Sequence, residues 1–408
     1  MFDCVSKLTL FIVLLISFSS CTSKEENRVA ILSQSIESKP SVIVGAQNVA
    51  EYLPLLQGMK VGMVVNQTSV IGNKHLVDSL LKLGVEIKMI FAPEHGFRGE
   101  ADAGEQIKDS KDGQTGIPVV SLYGKKKKPV KEDLVGIDVI VFDIQDVGAR
   151  FYTYISSLHY VMESCAENGI PIIVLDRPNP NAHYIDGPIL EKKYKSFIGM
   201  HPVPVVYGMT IGEYAQMING EGWLENGIKA ELTVIKNREY THNTYYNLPI
   251  KPSPNLPNIQ SIFLYPSLCF FEGTKMSVGR GTKTQFQIIG HPKYSGSEFS
   301  FTPIARPGAK YPKHENQECV GRNLTKLTKG ELHELSRLDL SYLIDSYTNL
   351  ENQDIPFFND NNFFEKLAGT LELRTQIKAG KTEEEIRATW QDGLLAFEKV
   401  RRNYLLYK

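Results

Sequence analysis

The chain has 408 residues, 42% of them hydrophobic and 10% aromatic, with 45 basic against 46 acidic side chains and a formal net charge of -1. So much apolar side chain excludes a disordered protein, and a near-neutral surface supplies no field to gather nucleic acid, so none is expected as a partner. At this length an apolar core divides into two more readily than it grows as one.

Residues 1–21 read as a lipoprotein signal peptide ending in the cysteine to be lipidated. Lys7 precedes an apolar stretch from Leu8 to Phe18, too short to span a bilayer as a stable helix, and Ser19 and Ser20 lead into Cys21. The segment resembles a bacterial lipobox, although Phe18 stands where an aliphatic residue is usual. It implies a membrane partner through lipid on Cys21 and a place in the cell envelope, as an outer-membrane lipoprotein facing the periplasm or the cell surface. Residues 22–40 are polar and aperiodic, as a flexible tether requires. Beyond the leader, Cys165, Cys269 and Cys319 are too few and too irregularly spaced for a disulfide framework or a metal knuckle, so no metal is expected.

From Val42 onward, strand-like and helix-like patterns alternate: KVGMVVN, HLVDSLLKLG, VEIKMIFA, IPVVSLYG, IDVIVFD, TYISSLHYVMESCAENG, IPIIVLD, TIGEYAQMING and KAELTVI. Short β-branched runs that are apolar on both faces are buried strands of a parallel sheet, and alternation with helices makes βαβ units. The expected fold is α/β, a Rossmann-like or flavodoxin-like parallel sheet with helices on both faces over residues 41–255. The basic run Lys125 to Lys128 is a solvated loop. After about residue 250 the pattern changes. KPSPNLPNIQ is too rich in Pro and Asn for regular structure; mixed strands and helical stretches at KGELHELSRLDLSYLIDSY and KTEEEIRATWQDGLLAFEKVRRNYLLY follow. Residues 256–408 are therefore expected to form a smaller α+β auxiliary domain ending in a helix.

Open α/β sheets bind ligands at the carboxyl ends of their strands. The first strand ends in Asn66-Gln67-Thr68-Ser69, without the glycine-rich turn that admits a pyrophosphate, and no phosphate-binding loop occurs elsewhere, so no nucleotide cofactor is expected. The second run ends in Ala-Pro-Glu-His-Gly. Glu94 beside apolar Phe91, Ala92 and Phe97 is partly desolvated, which suits a carboxylic acid to general-acid work, unless it merely satisfies backbone donors at a turn. His95 is a structural, catalytic or metal-ligating residue on this pattern alone. In FDIQDVGARFYTY, Asp143, Gln145, Asp146, Arg150, Tyr152 and Tyr154 supply the groups that recognise a polyhydroxylated, carboxylate-bearing ligand. A buried Asp–Arg pair that shapes the loop is the alternative. Asp176-Arg177-Pro178-Asn179-Pro180 repeats the theme at the third strand end. Glu272 and Arg280, in FEGTKMSVGRGT, lie where two domains should meet, the preferred place for a cleft.

Taken together, APEHGFRGE, FDIQDVGARFYTY, DRPNPN, PSPNLPN and FEGTKMSVGRGT resemble, in order, the exo-β-N-acetylmuramidases of glycoside hydrolase family 171 (NamZ type). The resemblance implies a glycosidase that releases terminal β-1,4-linked N-acetylmuramic acid from the non-reducing ends of peptidoglycan fragments during cell-wall recycling, with no organic cofactor. It implies a cleft between the two domains, with Glu94 as the catalytic acid. His95, Asp143, Asp146, Tyr154 and Glu272 remain candidates for the second catalytic group. Arg150 or Arg280 is suited to the lactyl carboxylate, with Asn66, Gln145, Tyr152 and Asp176 as further substrate contacts. A non-catalytic muropeptide-binding lipoprotein for uptake or sensing, and a metal-dependent deacetylase or amidase, are the competing readings.

Overall fold

A computed structural model describes residues 41–98 and 109–407. The proposed signal peptide, Cys21, the tether and the last residues of the APEHGFRGE motif lie outside them. Among the described residues, no helix is long and apolar enough to cross a membrane.

Seven strands form the central sheet: β1 (Lys60–Val65), β4 (Glu86–Ala92), β5 (Ser110–Lys111), β6 (Pro118–Ser121), β7 (Val139–Asp143), β8 (Ile172–Leu175) and β9 (Leu232–Ile235). A small hairpin, β2 (Val70–Ile71) with β3 (Lys74–His75), intervenes after β1. The sheet order is β5-β6-β4-β1-β7-β8-β9. All neighbours pair in parallel except β5, which runs antiparallel to β6 at the edge. Numbered by chain order, the parallel strands thus lie 3-2-1-4-5-6, the Rossmann arrangement rather than the flavodoxin-like one.

Apolar runs on both faces divide neatly between two cores. Ile140 and Phe142 join one core, while Val139 and Val141 join the other on the opposite face. Two of the crossovers run through Tyr154–Asn168, which ends on left-handed Gly169, and Ile211–Gly220, which begins at Thr210 with Glu213 completing a capping box.

The core containing Ile140 and Phe142 does not stop at the sheet. It continues through Ile262, Phe270, Phe364 and Leu373, so the C-terminal part is packed on the sheet half rather than around a core of its own. That part holds an antiparallel sheet of β10 (Ile288–His291), β12 (Cys319–Asn323) and β11 (Ser300–Phe301), in that order, surrounded by short helices. Two details differ from the sequence expectation. The Pro- and Asn-rich segment turns helical at Ile259, because the Asn258 side chain accepts from Ser261 N at 3.0 Å and caps the helix Ile259–Leu268. The two long helical patterns are each broken: Ser336, at φ 47°, separates Lys329–Leu335 from Ser341–Glu351, and Trp390, buried in the core, separates Glu383–Ala388 from Gln391–Arg401. The chain then returns to the sheet, where the Tyr407 hydroxyl donates to Asp176 at 2.5 Å and accepts from Asn237 N at 2.8 Å.

Candidate active site

The second strand of the Rossmann order delivers Glu94. After Ala92, Pro93 ends β4, and the chain turns through two successive left-handed residues, His95 at φ 71° and Gly96 at φ 79°. Glycine adopts that conformation freely; histidine does so only when its surroundings hold it there. His95 is 4% exposed and its Nε2 lies 3.2 Å from Ser253 Oγ. The turn leaves Glu94 lining a cleft. Thr153 stands at the N-cap of Tyr154–Asn168, but its hydroxyl makes no capping bond and instead donates to Glu94 Oε2 at 3.0 Å. Behind Glu94, the Tyr154 hydroxyl donates to the Glu94 carbonyl at 3.4 Å and accepts from Asn66 Nδ2 at 2.9 Å. Burial, with the Glu94 charge nearby, pushes the Tyr154 phenol well above its ordinary range, so it remains a hydrogen-bond donor at any physiological pH.

The opposite wall comes from the C-terminal part. Glu272 sits in the helical turn Cys269–Gly273, and Arg280 is held between left-handed Gly279 and Gly281. Any Cβ at Gly281 would meet Ile304 O at 2.8 Å, so this turn requires glycine. Arg280 Nε lies 2.7 Å from Glu272 Oε1. Burial alone would lower the guanidinium's proton affinity, but the Glu272 charge, with a smaller contribution from Glu94, keeps it raised. The Lys313 ammonium donates to the carbonyls of Phe271, Glu272, Thr274 and Met276 at 2.6 to 3.3 Å and so pins the backbone that carries Glu272. Burial brings Lys313 down to about 8. Between the walls lies a cleft of about 350 Å³ flanked by Tyr123, Phe151, Tyr152, Tyr265 and Phe286. Two carboxylates in one cleft lined by aromatic side chains are equipped to grip a sugar ring and protonate a leaving oxygen.

Of the residues singled out from sequence, Glu94, His95, Tyr152, Glu272 and Arg280 line this cleft. The others are engaged behind it. Asp143 makes a buried two-pronged pair with Arg177, at 2.5 and 2.8 Å, which is the loop-shaping alternative with a different arginine. Gln145 donates to the carbonyls of Asp146 and Pro178. Asp146 accepts from Tyr207 and from Gly148 N, its other oxygen has no hydrogen-bond partner among the described residues, and burial raises it to about 6. Asp176 accepts from Thr210, Gly212 N and Tyr407. Asn66 accepts from Thr68 and braces Tyr154. Arg150 is fully buried, and its guanidinium donates to the carbonyls of Pro188, Val203, Leu367 and Ala368. It bolts the end of the helix Phe363–Ala368 to the sheet half, and Phe363 and Leu367 of that helix form part of the cleft wall.

Thr153, Ser253, Tyr265 and Lys313 belong to the site without having been singled out. Thr153 and Ser253 lie inside quoted motifs, but nothing in their spacing marks a hydroxyl that bonds another segment. Among the described residues, a cluster of three acidic side chains with metal-ligand spacing is Glu163, Glu167 and Glu225; the Lys128 ammonium sits against Glu163 and Glu167 at 2.8 and 2.7 Å, and none of these residues lines the cleft.

A Rossmann-like sheet with a strand-end carboxylate and a second carboxylate lining one aromatic cleft has the groups an α/β enzyme of the glycosidase class requires. The chain belongs to the exo-β-N-acetylmuramidase NamZ family: the model of the family's N-terminal part matches residues 61–260 and that of its C-terminal part residues 263–407. It is 39% identical over 388 residues to the peptidoglycan β-N-acetylmuramidase NamZ of Bacillus subtilis strain 168, with 90% of this chain and 92% of that protein covered. Two solved DUF1343 family proteins of Bacteroides fragilis share the fold. One has a TM-score of 0.84 at 46% identity, the other 0.76 at 29%, each covering 90% of this chain and 99% of its own.

Proposed function

We propose that the protein is an exo-acting glycosidase that removes terminal β-1,4-linked N-acetylmuramic acid from the non-reducing ends of peptidoglycan fragments. The observation that carries this reading is the pairing of Glu94 with Glu272 and Arg280 in one cleft, in a chain of this family. Glu94 protonates the departing glycosidic oxygen, and Thr153 fixes the orientation of its carboxyl group. Glu272, the other acidic side chain among the described cleft residues, activates water or stabilises the oxocarbenium-like transition state. The aromatic flank holds the sugar ring. In this reading residues 41–255 form the catalytic domain and residues 256–408 an auxiliary domain that contributes the second wall.

The test is to incubate the purified protein with a disaccharide carrying terminal N-acetylmuramic acid. Free N-acetylmuramic acid should appear with time; an unchanged disaccharide would overturn the assignment. We further propose that the chain is an outer-membrane lipoprotein anchored through Cys21, on the pattern of its first 21 residues. Replacing Cys21 with Ser should move the protein from the membrane fraction to the soluble one.

A further inference from the structure

Among the described residues lining the cleft, Arg280 is the only arginine or lysine, and it is already engaged by a carboxylate of the same chain. The engagement is lopsided. Arg280 Nε approaches Glu272 Oε1 to 2.7 Å, whereas Nη2 stands 3.4 Å from Oε2, so a full two-pronged fork is not formed. Arg280 Nε is buried and, although close to Glu272, makes no aligned hydrogen bond to it, so the pair is held by charge and one long Nη2 contact rather than by a formed fork. Their backbones, by contrast, are fixed: Lys313 grips the carbonyls around Glu272, and the glycine-bounded turn fixes Arg280. The Glu272 side chain is thus free to change partner without moving the wall.

Resting on the reading that a terminal N-acetylmuramic acid occupies the cleft, we propose that Glu272 is a stand-in for the substrate: the lactyl carboxylate displaces it from Arg280, and the released Glu272 carboxylate becomes the group that works opposite Glu94. Recognition and catalysis are then one event. A sugar without the lactyl arm, such as N-acetylglucosamine, leaves Glu272 tied to Arg280 and the site incomplete. Arg280 becomes the specificity-determining residue, and Glu272 serves first as its competitor and then as a catalytic residue. The guanidinium stays charged throughout, and the exchange keeps it paired, because one carboxylate leaves as another arrives.

The exchange predicts opposite effects at its two ends. Calorimetric titration of the full chain with N-acetylmuramic acid and with N-acetylglucosamine should show the wild type preferring the former. Arg280→Met should lose about tenfold or more of the affinity for N-acetylmuramic acid, the scale of a lost charge-assisted pair, and leave N-acetylglucosamine unaffected. Glu272→Gln and Glu272→Ala, which remove the competing charge, should bind N-acetylmuramic acid several-fold more tightly than wild type while losing turnover. Thermal melts confirm that each variant is folded, and Arg280→Lys supplies a second, milder loss should the Met variant fail. Arg280 variants that retain the preference, or Glu272 variants that bind no more tightly, overturn the exchange even if the wild type still releases N-acetylmuramic acid from a disaccharide. A wild type that neither binds nor releases that sugar removes the functional reading and the exchange with it.

Discussion

Two stretches of the sheet's carboxyl edge carry charged side chains, and they serve opposite ends. Where β1 meets β7, the strand order reverses and a Rossmann sheet would receive a nucleotide. Here that crevice is filled from within: Arg177 forks onto Asp143, Ser69 donates to the Asp143 carbonyl, and Gln145 N donates to Thr68. One strand further out, at the end of β4, Glu94 and His95 line a cleft to which the C-terminal part contributes Glu272 and Arg280. A charge at a strand end becomes a reactive group only where neighbouring chain leaves a cavity beside it; elsewhere it is mortar.

Substitutions on the two sides should therefore fail differently. Glu94→Gln should lower kcat/KM by about 10²–10⁴-fold on a muramic-acid glycoside with no change in thermal midpoint, because a positioned acid contributes to rate and not to folding. Undiminished turnover would sink its assignment. Arg177→Met leaves Asp143 buried without its partner, and chemical unfolding should show a loss of about 3–5 kcal/mol; a variant as stable as wild type would mean that the filled crevice contributes nothing. Thr153→Val should cost about tenfold in kcat, the equivalent of about 1.4 kcal/mol, with KM little changed. Recovery in Thr153→Ser would attribute the loss to the hydroxyl.

A pH-dependent effect concerns Asp146. Burial raises it to about 6, above the ordinary value of 3.8, so over that interval the folded chain keeps a proton that the unfolded chain releases. The stability this brings is complete below the unfolded value and is lost as pH rises through about 6. The advantage of wild type over Asp146→Asn should thus decline from about pH 4 to about pH 7 in denaturant titrations, whereas a flat difference would mean that Asp146 is ionised throughout.

The arginines show how far sequence can reach. Arg150 and Arg280 both follow short glycine-containing turns, and either suits a carboxylate ligand. Arg150 instead spends its donors on four backbone carbonyls, while Arg280 faces the cleft. No local pattern separates them, because each guanidinium's partners lie far along the chain. Thr153 was equally hidden: a threonine before a helix reads as its cap, and only the approach of Glu94 turns the hydroxyl outward.

What the sequence by itself determined is local or periodic: the apolar runs that must be buried on both faces, the helices between them, the Pro-Glu-His-Gly stop that ends β4, and the ordered motifs that mark the family. The tertiary structure alone decided the strand order, the continuous core under the C-terminal part, and which carboxylates meet across a cavity. Strand order and cavities arise from contacts between distant segments, whose formation depends on how whole faces pack, and a linear pattern of residue types carries no record of that distance.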